Sequence, residues 1–280
     1  VKLSSFLTDT PHPMSSEVAP VIAFLGAGNM ASAMIRGLIT QGTSQDQLRA
    51  SDPSEAALAG LEALGLTQLG TSPDGLFDGA DLVVAAVKPQ IIPTALDAIS
   101  DQLSADSALL SIAAGIPISS LQAHAGENVA IIRCMPNTPA MIGLGASALY
   151  APDSVSPAHR DLAEQVTNAA GKTVWVASED LLDAVTAVSG SGPAYFFALI
   201  EAIAQAGTEL GLEEDVAMAL TVQTALGAAS LAAQATESVA TLRENVTSPG
   251  GTTEQALQSL QTSEFDAVVA EAVRHGVWLG

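Results

Sequence analysis

The sequence predicts an α/β fold, in which a doubly wound parallel sheet is followed by an all-helical region. Up to about residue 177, short apolar segments alternate with helical patterns, which is typical of a parallel sheet with helices on both faces. Beyond that point the strand pattern stops and two long apolar helices follow. We therefore divide the chain into a flexible leading tail (1–20), a sheet domain (21–177) and a helical domain (178–280).

The predicted strands are short apolar runs bounded by turn residues. The first run, Val21–Leu25, enters a glycine-containing turn, and the helical pattern behind it continues to about Thr40. Ser54 is the predicted N-cap of the helix after the second strand. The later strands are Leu48–Ser51, Asp81–Val87, Ala108–Ile112, Val129–Cys134, Ser147–Tyr150 and Thr173–Val176.

Two long helices are predicted in the second half, Pro193–Leu210 and Asp215–Ala235, and both are apolar nearly all round. A helix with no polar face must be buried on every side. A domain of about 100 residues hardly buries two such helices alone, so we expect them to pack against a second copy of the chain. Burial within one chain is the alternative.

Composition limits the partners. The chain has 30 acidic and 9 basic residues and a net charge of −21, which we interpret as a solvated acidic surface. Nucleic acids and anionic membranes are bound by basic surfaces, so both are disfavoured. Polar or charged residues interrupt the longest apolar stretches before the roughly 20 residues that a membrane span needs.

The compartment is predicted to be the cytoplasm. Val1–Pro20 lacks a basic end followed by an apolar run, and Met14 is a candidate natural start. The single cysteine, Cys134, excludes an intramolecular disulfide, and its apolar strand indicates a core thiol rather than a nucleophile. The four histidines are far apart in the sequence, so no metal site is predicted.

The first strand leads into Gly26-x-Gly28-x-x-Ala31, which opens a helix. This is a dinucleotide-binding fingerprint: Gly26 allows the tight turn, Gly28 allows the backbone to approach a diphosphate, and Ala31 allows close packing of helix and strand. The diphosphate would lie at the helix N-terminus, formed by Asn29 and Met30. The fingerprint makes the predicted sheet domain Rossmann-like.

The end of the second strand carries Ser51 and Asp52. A carboxylate at this position often binds the ribose 2′-hydroxyl of NAD and repels the 2′-phosphate of NADP. Asp52 equally fits a residue that only caps a loop with Pro53, and Ser51 could serve a 2′-phosphate. The sequence leaves the choice between NADPH and NADH open.

Loops after later strands complete the predicted cofactor site, because ligands of such folds bind at the carboxyl ends of the strands. Lys88 is either a cation beside the dinucleotide or a solvated side chain. The remaining predicted contacts are small or rigid residues that suit a nicotinamide pocket. They are Ala86, Val87, Pro89, Ala113, Ala114, Gly115, Asn137 and Thr138.

The segment Ser248–Gln255 lies between two predicted helices and contains two adjacent glycines. Gly250 and Gly251 would expose backbone N–H groups at a helix N-terminus, which suits an anion such as a carboxylate. Thr252 and Gln255 have the spacing of a capping box. An ordinary turn between helices is the alternative. The glycines of Ser189–Tyr195, at the start of the first long helix, fit either close packing or room for a ligand.

The helical half has few of the bases that alcohol dehydrogenases use. No Lys follows Lys172, the single His there is His275, and Tyr195 remains as a candidate. Reduction of a C=N bond demands less, because an imine nitrogen is protonated in water and the iminium accepts hydride readily. Such a site needs mainly to position donor and acceptor.

Six segments together resemble the pyrroline-5-carboxylate reductases and cover nearly everything after Val21. They occur in order as FLGAGNMASAMIRGL, AAVKPQ, SIAAGIPISSLQ, IIRCMPNTPAMIGLGAS, DAVTAVSGSGPAYFFALIEA and LRENVTSPGGTTEQAL. The last two are specific, whereas the glycine fingerprint is widely shared.

The resemblance implies an enzyme that reduces 1-pyrroline-5-carboxylate to L-proline with NADPH or NADH. It implies that Ser248, Gly251 and Thr252 bind the substrate carboxylate and that Thr253 faces the ring nitrogen as the catalytic residue. It also implies that Lys88 and the segment Asn137–Thr138 lie near the cofactor. The helical domain would interlock with that of a second subunit, and the dimers often assemble further. Two alternatives are another imine reductase or hydroxyacid dehydrogenase on the same scaffold, and a non-catalytic NAD(P)-binding dimer.

Overall fold

The structure is a computed structural model that describes residues 19–277. Within the described residues the chain forms two compact units, of which one comprises residues 19–193 with 275–277 and the other residues 194–274. The proposed tail, apart from its last two residues, and Met14 lie outside the described residues. The domain bounds at 20, 177 and 178 stay a prediction.

The first unit contains an eight-stranded sheet in the order β3-β2-β1-β4-β5-β6-β7-β8. Its strands are β1 (Ile22–Leu25), β2 (Leu48–Ser51), β3 (Gln68–Gly70), β4 (Leu82–Ala85), β5 (Ala108–Ser111), β6 (Ala130–Met135), β7 (Gly145–Tyr150) and β8 (Gly171–Trp175). All neighbouring pairs are parallel except β6 and β7, which are antiparallel. The predicted doubly wound parallel sheet is confirmed, with one antiparallel pair added.

Helices cover both faces of this sheet. They are α1 (Asn29–Thr40), α2 (Glu55–Glu62), α3 (Ile92–Asp97), α4 (Ile118–Ala125), α5 (Pro157–Asn168) and α6 (Leu181–Val185). Each of β1, β4 and β5 has four residues, and all of them are buried. Along each strand, alternate apolar residues pack into two separate clusters on opposite faces of the sheet. This explains why the strands are continuous apolar runs: each strand has no solvent-facing side.

Cys134 lies in β6 and is 3% exposed. Burial raises the pKa of its thiol to about 12, and a hydrogen bond with Ser147 opposes this shift less strongly. The thiol is therefore protonated and inert at neutral pH, which confirms it as a core residue.

The remaining helices are α7 (Gly192–Glu209), α8 (Glu214–Gln234), α9 (Val239–Asn245), α10 (Thr252–Thr262) and α11 (Phe265–His275). In the single chain, α7 and α8 expose large apolar side chains: Phe196 is 64% exposed, Leu220 57% and Leu226 51%. The alternative of burial within one chain is therefore wrong, because the single chain leaves these side chains exposed.

Two helical stretches, Leu181–Glu209 and Glu214–Gln234, have the length and composition of a membrane span, contrary to the expectation that polar residues interrupt every such stretch. The core helices of soluble proteins meet the same criterion. Only 17% and 11% of their most apolar windows are buried in the single chain.

Candidate functional site

Gly26 forms the tight turn at the carboxyl end of β1. Its φ is +103°, and its N–H donates to Ser51 O at 2.8 Å. A Cβ at this position would lie 2.7 Å from Ala86 O. Because L-residues rarely adopt this φ and the space is filled by backbone, the turn requires glycine.

Gly28 has a different role, because its φ of −68° is available to any residue and a Cβ would meet nothing within 4 Å. It is the N-cap of α1, whose first intrahelical bond runs from Ser32 N to Gly28 O at 2.9 Å. The N–H groups of Asn29, Met30 and Ala31 therefore have no acceptor within the helix. Open space over free N–H groups at a positive helix end fits the diphosphate of a dinucleotide.

The polar side chains at the end of β2 are buried or hydrogen-bonded within the protein. Ser51 is only 4% exposed, which leaves its hydroxyl little access to a phosphate. Both carboxylate oxygens of Asp52 accept backbone hydrogen bonds: Oδ2 from Ala27 N and Oδ1 from Ser54 N, each at 2.8 Å. Ser54 caps α2 as predicted, because its side chain accepts from Ala57 N. Cofactor contacts by Ser51 and Asp52 stay a prediction.

The sheet brings the other predicted cofactor residues to the same edge, after β4, β5 and β6. Lys88 is exposed and precedes the 3₁₀ turn Pro89–Ile91, while Ala86 and Val87 are half-buried beside Gly26. After β5, Ala113 is buried, Ala114 is half-buried and Gly115 is exposed with a φ of +74°. Their roles as cofactor contacts stay a prediction.

Asn137 bridges three segments behind this edge. Its Oδ1 accepts a hydrogen bond from Ala146 N at 2.8 Å, and its Nδ2 donates to Ser189 O at 3.1 Å. Ser189 belongs to the π-helical segment Thr186–Gly190, a form of helix that is frequent at functional sites. Both polar atoms of the Asn137 amide are thus hydrogen-bonded to the protein's own backbone. Thr138 is the first residue of the 3₁₀ turn Thr138–Ile142.

Sequence reasoning missed an ion pair in the same unit. Glu179 Oε1 accepts from Arg133 Nη1 at 2.9 Å and from Ile118 N at 2.7 Å. Arg133 is 8% exposed, so its charge needs this partner. The pair ties β6, the start of α4 and the segment before α6 together. An arginine inside the apolar strand Val129–Cys134 was the available signal.

The segment Ser248–Thr253 forms an exposed turn that starts α10. Gly250 has a φ of +74°, Gly251 donates from its N–H to Ser248 O at 2.9 Å, and Gly251 is the N-cap. The first helical bond runs from Gln255 N to Gly251 O at 3.3 Å. The N–H groups of Thr252, Thr253 and Glu254 therefore have no acceptor within the helix and suit an anion.

The predicted capping box of Thr252 and Gln255 is wrong, because α10 begins one residue earlier than that pairing needs. Glu254 does the capping instead, with its Oε2 accepting from Gly250 N at 2.7 Å. The Gly250 N–H is thus already bonded, and the structure gives this residue a conformational role. Substrate binding by Ser248, Gly250, Gly251, Thr252 and Thr253 stays a prediction.

Among residues 19–277, no group of three or more His, Cys, Asp and Glu side chains is arranged to hold a metal ion.

Comparison with known proteins agrees with this arrangement. A family model described as pyrroline-5-carboxylate reductase dimerisation matches residues 179–277, and one described as NADP oxidoreductase, coenzyme F420-dependent, matches residues 21–115. The pyrroline-5-carboxylate reductase of Pseudomonas aeruginosa is 47% identical over 257 residues, which are 91% of this chain and 93% of that protein.

Solved structures are similar over the same span. A pyrroline-5-carboxylate reductase from Coxiella burnetii is 36% identical with a TM-score of 0.88, covering 92% of this chain and 96% of that one. The Plasmodium falciparum pyrroline carboxylate reductase with NADP bound is 29% identical with a TM-score of 0.78, covering 92% and 95%. On its sequence, its fold and the order of its motifs, this chain belongs to the pyrroline-5-carboxylate reductase family.

Proposed function

We propose that this protein reduces the cyclic imine of 1-pyrroline-5-carboxylate to L-proline with NADPH or NADH. The observation that carries the proposal is the start of α10, where N–H groups without helical acceptors and the hydroxyls of Thr252 and Thr253 are exposed after a glycine pair. A dinucleotide fingerprint in the same chain and membership of the family support it.

The substrate carries a carboxylate beside the ring nitrogen. In the proposed complex the N–H group of Thr252 and the Ser248 hydroxyl bind the carboxylate at the turn that Gly251 forms. Opposite charge at the helix N-terminus stabilises that anion. The Thr253 hydroxyl then faces the ring nitrogen, as the family resemblance implies.

The bound cofactor supplies a hydride donor. The protein's own task is to hold the imine carbon in line with that donor and to stabilise charge at the nitrogen. The Thr253 hydroxyl can stabilise the charge at the nitrogen, because it can change its hydrogen bonds as the nitrogen changes from sp² to sp³. Positioning of this kind accounts for a site without Lys or His at the reacting atoms.

The chain carries the dimerisation domain of its family. In our proposal the helices of two subunits interlock, which would cover the exposed apolar side chains of α7 and α8. An apolar cavity of about 400 Å³, lined by Val174, Leu181, Val185 and Val188 among others, offers the partner a further surface. Further assembly of dimers and a cytoplasmic location are part of the same proposal.

The test is oxidation of NADPH, and separately of NADH, followed at 340 nm with 1-pyrroline-5-carboxylate as substrate. We expect turnover with at least one of them, with L-proline as the product by chromatography. A folded dimer that binds either cofactor but produces no proline would overturn the proposal. The Gly28→Val variant serves as the background control, because we expect it to fold without binding the cofactor.

A further inference from the structure

Asp52 is bonded into the fold at three points at the carboxyl edge of the sheet. Its N–H donates to Gly70 O at 3.2 Å, its Oδ1 accepts from Ser54 N and its Oδ2 accepts from Ala27 N, each of the last two at 2.8 Å. The carboxylate therefore links the loop before α2 to the turn of the glycine fingerprint.

The bond to Ala27 fixes the direction of one peptide unit in that turn. Ala27 is only 3% exposed, so water has little access to its N–H if the carboxylate leaves. A buried N–H without a partner costs free energy comparable to its desolvation penalty. To turn towards a ribose, the carboxylate would have to break these hydrogen bonds. The bonds therefore hold it towards the protein.

From this geometry we infer that Asp52 is a positioning residue, which holds the Gly26–Gly28 turn in the shape that binds the diphosphate and does not select between NADH and NADPH. The diphosphate is common to both cofactors, so loss of the Asp52 bonds affects both equally. The inference deepens the proposed function and rests on its dinucleotide site.

The same strand offers a matched control at its other end. Asp81 Oδ2 accepts a hydrogen bond from Val21 N at 2.7 Å, at the amino end of β1. Asp81→Asn and Asp52→Asn each replace a carboxylate that accepts from backbone N–H groups, at opposite edges of the sheet. Only the second is at the predicted cofactor edge.

The experiment measures the Kd of NADPH and of NADH by fluorescence titration of the dimer, together with apo-protein melting and steady-state kcat and KM. We expect Asp52→Asn and Asp52→Ala to raise both Kd values about 5- to 50-fold, with their ratio unchanged to within about threefold. We expect the KM of each cofactor to rise by a larger factor than kcat falls. Asp81→Asn should leave both Kd values as in the wild type.

Three outcomes overturn the inference. One is a change of more than about tenfold in the NADPH to NADH ratio, which would make Asp52 a ribose-reading residue. Another is unchanged affinity for both cofactors in Asp52→Ala, and the third is an equal effect of Asp81→Asn. If Asp52→Ala does not fold, Asp52→Asn carries the comparison, since its amide oxygen still accepts one bond.

The wild-type titration separates this inference from the proposed function. Wild-type protein that binds neither cofactor overturns both. If the wild-type protein binds both cofactors and the Asp52 variants shift the two Kd values unequally, only the role of Asp52 is overturned.

Discussion

The carboxylate of Glu254 accepts a hydrogen bond from the backbone N–H of Gly250, with 2.7 Å between Oε2 and N. Because Gly250 has a φ of +74°, this bond holds the glycine pair in the turn that presents the start of α10. The same carboxylate places a negative charge beside a site proposed for an anion. Its hydrogen bond and its charge therefore have opposite effects on substrate affinity.

Replacing Glu254 separates these two effects. Glu254→Gln keeps an oxygen that can accept from Gly250 and removes the charge, so we expect a substrate KM equal to or below the wild-type value. Glu254→Ala loses the bond, and we expect the KM to rise about 3- to 10-fold. Asp266→Asn, in the first turn of α11, is the control for loss of an acidic residue at a helix start. A higher KM in Glu254→Gln than in Glu254→Ala would contradict this account.

Substitutions at the two fingerprint glycines, Gly26 and Gly28, should have different effects. A Cβ at Gly28 meets no atom within 4 Å in the structure, so we expect Gly28→Val to melt close to the wild type and to lose cofactor binding. Gly26→Ala introduces a Cβ 2.7 Å from Ala86 O at a φ of +103°, so it should lose about 1–3 kcal/mol of stability. Thermal melts with NAD(P)H titrations check both. Normal cofactor affinity in folded Gly28→Val would refute the diphosphate site.

Thr253→Ala should lower kcat at least about tenfold, because the hydroxyl is proposed to stabilise the ring nitrogen in the transition state. Cofactor affinity should remain nearly intact. Thr253→Ser, which keeps the hydroxyl, should recover most of the rate, and Thr262→Ala at the other end of α10 is the control. Steady-state kinetics identical to the wild type would exclude this role.

Asn137→Ala should destabilise the sheet unit by about 1–3 kcal/mol, because it removes the bonds to Ala146 N and Ser189 O. Urea unfolding measures the change. Asn168→Ala is a matched control, since Asn168 Oδ1 also accepts from a backbone N–H, that of Thr173. Wild-type stability together with lost cofactor binding would instead support direct contact of Asn137 with the cofactor.

The exposed side of α8 should control assembly. We expect the wild-type chain of 28.3 kDa to scatter light as a dimer or larger at micromolar concentration. Leu226→Glu, at a side chain 51% exposed in the single chain, should shift it towards monomer or aggregate. Gln223→Glu adds the same charge at an exposed polar position of the helix and should not. A folded wild-type monomer would remove the dimer from the proposal.

The main strands could be predicted because a strand buried on both faces is a continuous apolar run. β2 is found at its predicted bounds, Leu48–Ser51, whereas β3 was missed because it has three residues, all half-buried. The antiparallel pairing of β6 with β7 has no local signal, since a strand's composition does not encode its direction. Because α7 and α8 are apolar nearly all round, the sequence correctly indicated that a single chain leaves these two helices exposed.

The candidate site was harder to predict where contacts are distant in sequence. The glycine fingerprint is local, so its turn and helix could be recognised. The Asp52–Ala27 bond joins residues 25 positions apart, and the Asn137–Ser189 bond joins residues 52 positions apart. Both side chains were predicted as cofactor contacts, with loop capping as the alternative for Asp52, and the sequence does not show the backbone groups to which they are hydrogen-bonded. The start of α10 was misjudged because a glycine N-cap leaves no side-chain signature.

Because its helices expose apolar side chains in the single chain, the lifetime of the protein should also depend on its concentration. In the proposed dimer a second copy covers Phe196, Leu220 and Leu226, so a newly synthesised copy would expose them to water until it meets its partner. Dilution therefore removes stability as well as assembly, and the melting temperature should rise with protein concentration. In the cell, chaperones and proteases compete with the second subunit for each unassembled copy, so a lower rate of synthesis would reduce the amount of enzyme more than proportionally.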